Sequence, residues 1–296
     1  MDLRAVKAKI GSVKNITEIT AALETFAALK MRKTQKRFNE TKAFRVAMAR
    51  VLKRLEEDLE KNESIFLEER EVKKILVCVI ASDRGFCGPF NSNMLKFSVK
   101  EIKRIKEEYG DAELEVLPIG KKAIRFFKKN NENVKREYSG IGDYWKYSEV
   151  KEIADFLVES FISKDYDKVY FVYTKFISSF SQKPYCVELF PLNKNIALNF
   201  IEKEEEKIEH KFEHVLEPSP KRILNEVVRE FILYLIYQFI LSANTAEHSA
   251  RMMAMRNASD NASDILAGLK LEYNKARQQH ITSEVSEISS TKEAME

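Results

Sequence analysis

The chain has 296 residues, 44% hydrophobic and 32% charged, with a net charge of +4. No apolar run reaches the roughly 20 residues that cross a bilayer, and three cysteines at irregular spacing build no disulfide framework, so membrane-spanning helical and disulfide-stapled classes are excluded. Asp2 and Arg4 stand in the first turn, so no secretory signal is expected.

Asp2 to about Glu60 contains no proline and only Gly11. As one helix it would reach roughly 85–90 Å. Leu3, Val6, Ile10, Val13, Ile16, Ile19, Leu23 and Phe26 step along it by three or four residues, and Phe44, Met48, Val51 and Leu55 resume the stripe. The three-residue steps from Ile10 to Ile19 predict a stammer in a left-handed coil. Residues 1–55 carry fourteen Lys/Arg against four Asp/Glu, densest at Lys30, Arg32, Lys33, Lys36 and Arg37. Such a run is either a solvated face or an attractor for an acidic partner.

After a charged bridge, ILVCVIA (75–81) reads as a strand covered on both faces. Gly85, Gly88 and Pro89 then demand a loop, and Asn91 or Ser92 is placed to cap the helix that follows, through about Tyr109. Glu113–Ile119 predicts a strand, Lys121–Lys129 a short helix and Val134–Tyr138 a further strand candidate. Glu149–Ser163 predicts an amphipathic helix, and Lys168–Tyr173 and Tyr185–Leu192 predict strands. This alternation indicates a small α/β layer fold with a mostly parallel sheet. Lys194 to Pro220 is a polar connector whose EKEEEKIEHKFEH core is either helical or disordered.

Pro220 to about Glu287 has one glycine, Gly268, and would span roughly 100 Å as a helix. Ile223, Val227, Phe231 and Leu235, with Leu224, Val228, Ile232, Ile236 and Phe239, give its first part a wide apolar face. Small residues then recur three and four apart, from Ala243 to Ala262, which lets a neighbour approach closely. A helix this long cannot bury its stripe on itself. The two ends are therefore read as an antiparallel pair, with the segments near Val6–Phe26 and Val227–Met255 as neighbours. The last part is expected to overshoot that pair, leaving Arg277, Gln278, Thr282 and Glu284 exposed toward an outside partner. A frayed terminus is the alternative.

Little points to chemistry. DRGFCG has two glycines but neither G-x-G-x-x-G spacing nor a Walker lysine, so it reads as a tight turn without nucleotide. Asp83 and Arg84 are adjacent and positioned to pair locally. Cys78 reads as a buried apolar residue, and Cys87 has no histidine nearby in sequence to activate it. His210 and His214 lie four apart without an evident third metal ligand. No G-x-S-x-G, H-E-x-x-H or kinase motif is present.

Three stretches carry a resemblance: IGSVKNITEITAALETFAALKMRK (10–33), SDRGFCGPFN (82–91) and EHSARMMAMRNASDNASDILAGLKLEYNKARQQHITSEVSEI (247–288). With the long helical ends and the inserted α/β segment, essentially the whole chain resembles the γ-subunit family of F-type ATP synthases. The resemblance implies an α plus α/β fold: a long antiparallel coiled coil of the N- and C-terminal helices with an inserted Rossmann-like α/β domain. Its parts are expected at 1–60 (N-terminal coil helix), 72–192 (α/β foot), 193–220 (connector) and 221–288 (C-terminal coil helix).

It also implies a rotor shaft without a catalytic site, metal or cofactor of its own. The expected partners are the α and β subunits of a catalytic hexamer, which hold ATP or ADP and Mg²⁺, together with an ε subunit and a c-subunit ring. The expected place is peripheral, on the cytoplasmic side of a bacterial-type cell membrane. Arg277 and Gln278 match the family's catch residues, Thr282, Glu284 and Ser286 the same contact region, and Arg251 the arginine of an A-R-M motif. Lys30, Arg32 and Lys33 match a basic stretch facing an acidic lever of the β subunits. Leu23 and Phe26 replace the family's Met and Val, Leu29 replaces a small polar residue, and Ser286 stands for its Thr. The plastid regulatory cysteine insertion is absent. A coiled-coil module using its basic helix on nucleic acid is the alternative, without a recognised DNA-binding pattern, and a nucleotide-binding enzyme is a third reading.

Overall fold

The computed structural model describes residues 3–41, 47, 65–140, 147–192, 220–293 and 295; the side chains of 220–224, 292 and 293 are outside that description. The expected stripe at Phe44, Met48, Val51 and Leu55, the polar connector with His210 and His214, and the side chains of Ile223 and Leu224 therefore lie outside the described residues. In chain order the elements are α1 (Leu3–Glu40), a 3-10 turn (Ile65–Leu67), β1 (Lys74–Ile80), α2 (Phe90–Tyr109), β2 (Glu113–Ile119), α3 (Lys121–Lys129), α4 (Tyr147–Ile162), β3 (Lys168–Ser178), β4 (Ser181–Phe190) and α5 (Pro220–Glu293).

The strands form one sheet in the order β2-β1-β3-β4. β1 pairs in parallel with β2 and β3, and β3 pairs antiparallel with β4. The last two strands are longer than their apolar runs predict, because they close directly on each other as a hairpin around Ser179 and Phe180. Val134–Tyr138 is not a full strand. It makes isolated parallel bridges to β2, Val116 with Val134 and Ile119 with Tyr138.

Side-chain alternation on β1 explains the layers. Leu76, Cys78 and Ile80 face a core shared with α4 (Ile153, Leu157, Phe161) and the first part of α5 (Phe231, Leu235, Phe239). Ile75, Val77 and Val79 face the opposite core, with Met94 and Ile105 of α2 and Phe127 of α3. Each large apolar side chain fully buried here stabilises by about 1.5–3 kcal/mol. Phe161 stacks on Phe190 at 4.7 Å between ring centroids. Burial also pushes the Cys78 thiol well above the usual range.

The chain divides into two compact units, residues 29–250 and residues 1–28 with 251–296. The segment expected beside Val6–Phe26, Val227–Met255, falls on both sides of this division. Val228 to Ala243 is core of the α/β unit, and residues 1–28 share their unit with the segment that begins at Arg251.

Within that second unit, burial on α1 follows Leu3, Val6, Ile10, Val13, Thr17, Thr20, Glu24 and Ala27, alternating steps of three and four. This is an unbroken heptad phase. The expected stammer is absent, and Ile16, Ile19 and Phe26 stand 50%, 59% and 62% exposed. Threonines occupy the inward positions because their hydroxyls are satisfied within the helix: Thr17 Oγ1 donates to Val13 O at 3.0 Å and Thr20 Oγ1 to Ile16 O at 2.9 Å. On α5 the matching sequence is Met255, Ser259, Ala262, Leu266, Leu269, Tyr273 and Ala276, again in steps of four and three.

Candidate functional site

Three surfaces bear on function: the turn after β1, the basic end of α1 and the end of α5.

The turn after β1 is braced from several sides. Ser82 N donates to Asn91 Oδ1 at 3.1 Å, and Asn91 Nδ2 donates to Ser82 Oγ at 2.7 Å and to Cys87 Sγ at 3.1 Å. Asn91 is therefore a latch across the turn and not the expected cap. Helix α2 starts after Pro89 with no side-chain cap, and Ser92 Oγ returns to Pro89 O at 2.9 Å. Asp83 braces the neighbouring loops: its Oδ1 accepts from Lys121 N at 2.8 Å and its Oδ2 from Gly140 N at 3.1 Å. The carboxylate thus sits at the N-terminus of α3, where the helix dipole favours negative charge. Sequence adjacency to Arg84 gave no hint of this brace, because the partners are 38 and 57 residues away. Cys87 is buried against Phe90 and Ala246, which explains why it is no accessible thiol. Burial also pushes the Cys186 thiol up to about 12. Between these anchors Phe86 takes a positive φ of 61° and projects its ring, 75% exposed.

The small residues of α5 in the first unit receive this turn and the β3–β4 hairpin. Phe176 N donates to Ser242 Oγ at 2.9 Å, and Ser249 Oγ donates to Ser179 O at 2.8 Å. Gln182 Nε2 donates to Ser249 Oγ at 3.2 Å. The close approach that the small residues predict is real, but between Ser242 and Ala250 these contacts come from a hairpin and a turn. Met31 and Thr34 of α1 are also buried in this unit, and Thr41 bonds to Tyr234 and Gln238.

A cavity of about 250 Å³ opens beside the turn, lined among others by Asp83, Arg84, Gly120, Lys121, Asn244 and Glu247. It lies beyond the carboxyl ends of β1 and β2, the position of ligand crevices in open α/β sheets. Ligand pockets of ordinary size run to roughly 300–1,000 Å³, so it is a small one. Among the described residues no group of three His, Cys, Asp or Glu side chains could hold a metal ion.

At the basic end of α1, Arg32 and Lys33 are exposed and Lys30 is half-buried. Arg251, at the first position of α5 in the second unit, is half-buried. From Arg277 to Thr291 every described side chain of α5 is exposed. Arg277, Ile281, Glu284 and Ile288 recur at helical spacing on one face, and Gln278, Thr282 and Ser286 lie four apart on the adjacent one. Thr282 Oγ1 donates to Gln278 O at 2.9 Å, and Glu284 lies 3.2 Å from His280 Nδ1. Among the described residues no helix is long and apolar enough to cross a membrane.

A family model described as ATP synthase matches residues 2–295. The chain is 35% identical over 189 residues to an ATP synthase gamma chain of Glaesserella parasuis, and 37% identical over 189 residues to one of Pelotomaculum thermopropionicum. Both alignments cover 64% of this chain, which spans 65% of the length of those relatives. Among solved structures, a chain of the central stalk and c-ring of the Tetrahymena thermophila mitochondrial ATP synthase aligns with a TM-score of 0.59 and 23% identity, covering 81% of this chain and 99% of that one. A chain from the Euglena gracilis mitochondrial ATP synthase aligns with a TM-score of 0.63 and 19% identity, covering 99% and 94%. At these identities the structural likeness speaks for the fold.

Proposed function

Because this chain belongs to the ATP synthase family, with gamma chains as its curated relatives, we propose that it is the central rotor shaft of a proton- or sodium-driven F-type ATP synthase. In this reading it couples rotation of a c-subunit ring to conformational cycling of catalytic β subunits. The observation that carries the reading is α5: one helix of 74 residues that supplies core of the α/β unit from Val228 to Ala243 and in which, among the described residues, no side chain from Arg277 onward is buried. That is several times the length of an ordinary globular helix, about 11–12 residues. The nucleic-acid alternative gains nothing from the comparisons.

The α/β unit, about residues 72–192, serves as the foot that meets the ε subunit and the c-ring, and residues 193–220 connect it to the C-terminal helix. The chain itself carries no catalytic site and no cofactor; ATP or ADP and Mg²⁺ sit on the α and β subunits. It is peripheral, on the cytoplasmic side of a bacterial-type cell membrane. A tagged full chain, purified from gently solubilised membranes, is expected to bring down α, β, ε and c subunits in fixed proportion. Recovery of the chain alone, or with nucleic acid, would overturn the reading.

The two terminal segments of the second unit form an antiparallel coiled coil. The matching three–four burial sequences on Val6–Ala27 and Met255–Ala276 support this. Cysteine pairs engineered across these two sequences are expected to cross-link within one chain; links formed only between chains would rule out the hairpin.

Arg277, Gln278, Thr282, Glu284 and Ser286 contact the catalytic hexamer at the tip, with Arg251 a further contact lower on the helix. Lys30, Arg32 and Lys33 pass an acidic surface of the β subunits during rotation. Pairs formed in transit at an exposed surface contribute only about 0–1 kcal/mol each. Replacing all three lysine and arginine side chains with alanine is expected to lower ATPase turnover or coupling less than tenfold and to leave assembly intact. Coupling that stays at the wild-type value across a range of ionic strengths would return this run to a solvated face.

A further inference from the structure

Charge is divided unevenly between the two layers that cover the sheet. α2 and α3, on the Val77 side, carry ten Lys/Arg against three Asp/Glu. α4, on the Cys78 side, carries four Asp/Glu against Lys151. The excess is densest on α3, where Lys121, Lys122, Arg125, Lys128 and Lys129 stand among nine residues without a carboxylate. At 3.6 residues per turn the five fall within an arc of roughly 120°, on the side opposite the buried Ala123 and Phe127. Four are exposed and Lys122 is half-buried. Among the described residues one of the five has a carboxylate partner, Lys128 with Glu137 at 2.6 Å. Glu132, just past the helix, pairs with Lys106 of α2 at 3.4 Å.

Helix stability works against this arrangement. Lys121, Arg125 and Lys129 follow one another at four-residue steps, and like charges so spaced repel. Lys121 and Lys122 also occupy the first turn, where the helix dipole disfavours cations. The apolar side of α3 is spent in the core, so the outer face offers charge without an apolar anchor. Protein interfaces are depleted of lysine and rich in aromatic side chains. Clusters of about four to eight Lys/Arg on a helix instead suit the diffuse negative charge of anionic lipid headgroups. Such a surface relieves the repulsion among all five cations at once.

We infer that the outer face of α3 is a direct contact of this chain with the anionic headgroups of a phospholipid bilayer, held by charge and without insertion. This goes beyond the shaft reading, which brings the chain to a membrane through partner subunits, and does not depend on it.

The test floats the full chain, free of partners, with vesicles of phosphatidylcholine alone or mixed with phosphatidylglycerol. The wild type is expected on the mixed vesicles only, and to leave them at about 1 M salt, where screening shortens the reach of charge to about 3 Å. One variant combines Lys121→Gln, Arg125→Gln and Lys129→Gln, all exposed positions that leave the core untouched. Each cation near an anionic surface contributes about a fivefold gain in partition, so this variant is expected to bind at least about tenfold more weakly. A second variant removes the same charge from α1, as Lys30→Gln, Arg32→Gln and Lys33→Gln, and is expected to bind as the wild type does. Equal weakening in the two variants would make the binding one of net charge and overturn the site. Retention at high salt, or full binding by the α3 variant, would overturn it as well. A wild-type chain that ignores anionic vesicles at low salt would also overturn it and leave an acidic protein surface as the occupant of this face.

Discussion

Arg277→Leu is expected to slow coupled ATP hydrolysis and synthesis by about ten- to a hundredfold while the complex still assembles and binds nucleotide. Assembly survives because Arg277 lies past Ala276, the last half-buried position of α5 among the described residues, and is itself exposed. No core packing depends on it. The loss of rate follows from the chemistry of the guanidinium. Arginine presents five N–H donors in a rigid planar fork, and a charge-assisted hydrogen bond to a loop carboxylate or carbonyl contributes roughly 1.5–3 kcal/mol. At about 1.4 kcal/mol per factor of ten, that range corresponds to the predicted loss. In the proposed role, one off-axis arginine facing three β subunits would engage a single one at a time, so its binding energy would favour one β conformation over the other two. Arg277→Lys is expected to recover only part of the rate, since the charge remains and the fork does not. Assembled Arg277→Leu complexes that run at the wild-type rate in both directions would remove the catch role and leave the tip a plain helix end.

Gly120→Ala is expected to destabilise the α/β unit by at least about 2 kcal/mol, from two sources: a positive-φ penalty of about 1–2 kcal/mol and forced overpacking of about 1–3 kcal/mol or more. Gly120 has φ +94, and a Cβ there would stand 2.1 Å from the carbonyl oxygen of Ala81. That oxygen belongs to backbone at the end of β1, next to Ser82, whose hydrogen bonds close the turn. It cannot swing aside as a side-chain terminus would. Since a domain is stable by only about 5–15 kcal/mol in all, such a loss is large. Gly110 supplies the control. It also has positive φ, +50, but nothing lies within 4 Å of its would-be Cβ. Gly110→Ala should therefore show the conformational penalty alone. Urea unfolding of both variants measures the difference, and a Gly120→Ala protein no less stable than Gly110→Ala would mean that the β1–β2 end is looser than its geometry.

What the sequence by itself determined about this protein are the properties carried by local spacing. Two proline-free stripes announce the long terminal helices, and the both-face burial of β1 is written in the run ILVCVIA. The alternation of strand and helix patterns announces a layered α/β unit. The family is legible as well, through the stretches at 10–33, 82–91 and 247–288. Each of these depends on residues within a few turns of one another, so side-chain type and period suffice.

The tertiary structure alone decided which apolar residues are inside. On α1 the row through Ile16, Ile19 and Phe26 and the row through Thr17, Thr20 and Ala27 are both at helical spacing. Hydropathy favours the first, yet burial follows the second, in an unbroken heptad phase from Leu3 to Ala27. The same holds for the apolar first part of α5, whose stripe suits a helix partner and a sheet equally; the sheet covers it. Asn91 as a latch and Asp83 as a brace were not legible for a simpler reason. Their partners are set by where β1, β2 and α3 come together, and a short polar side chain carries no mark of which distant N–H it will meet.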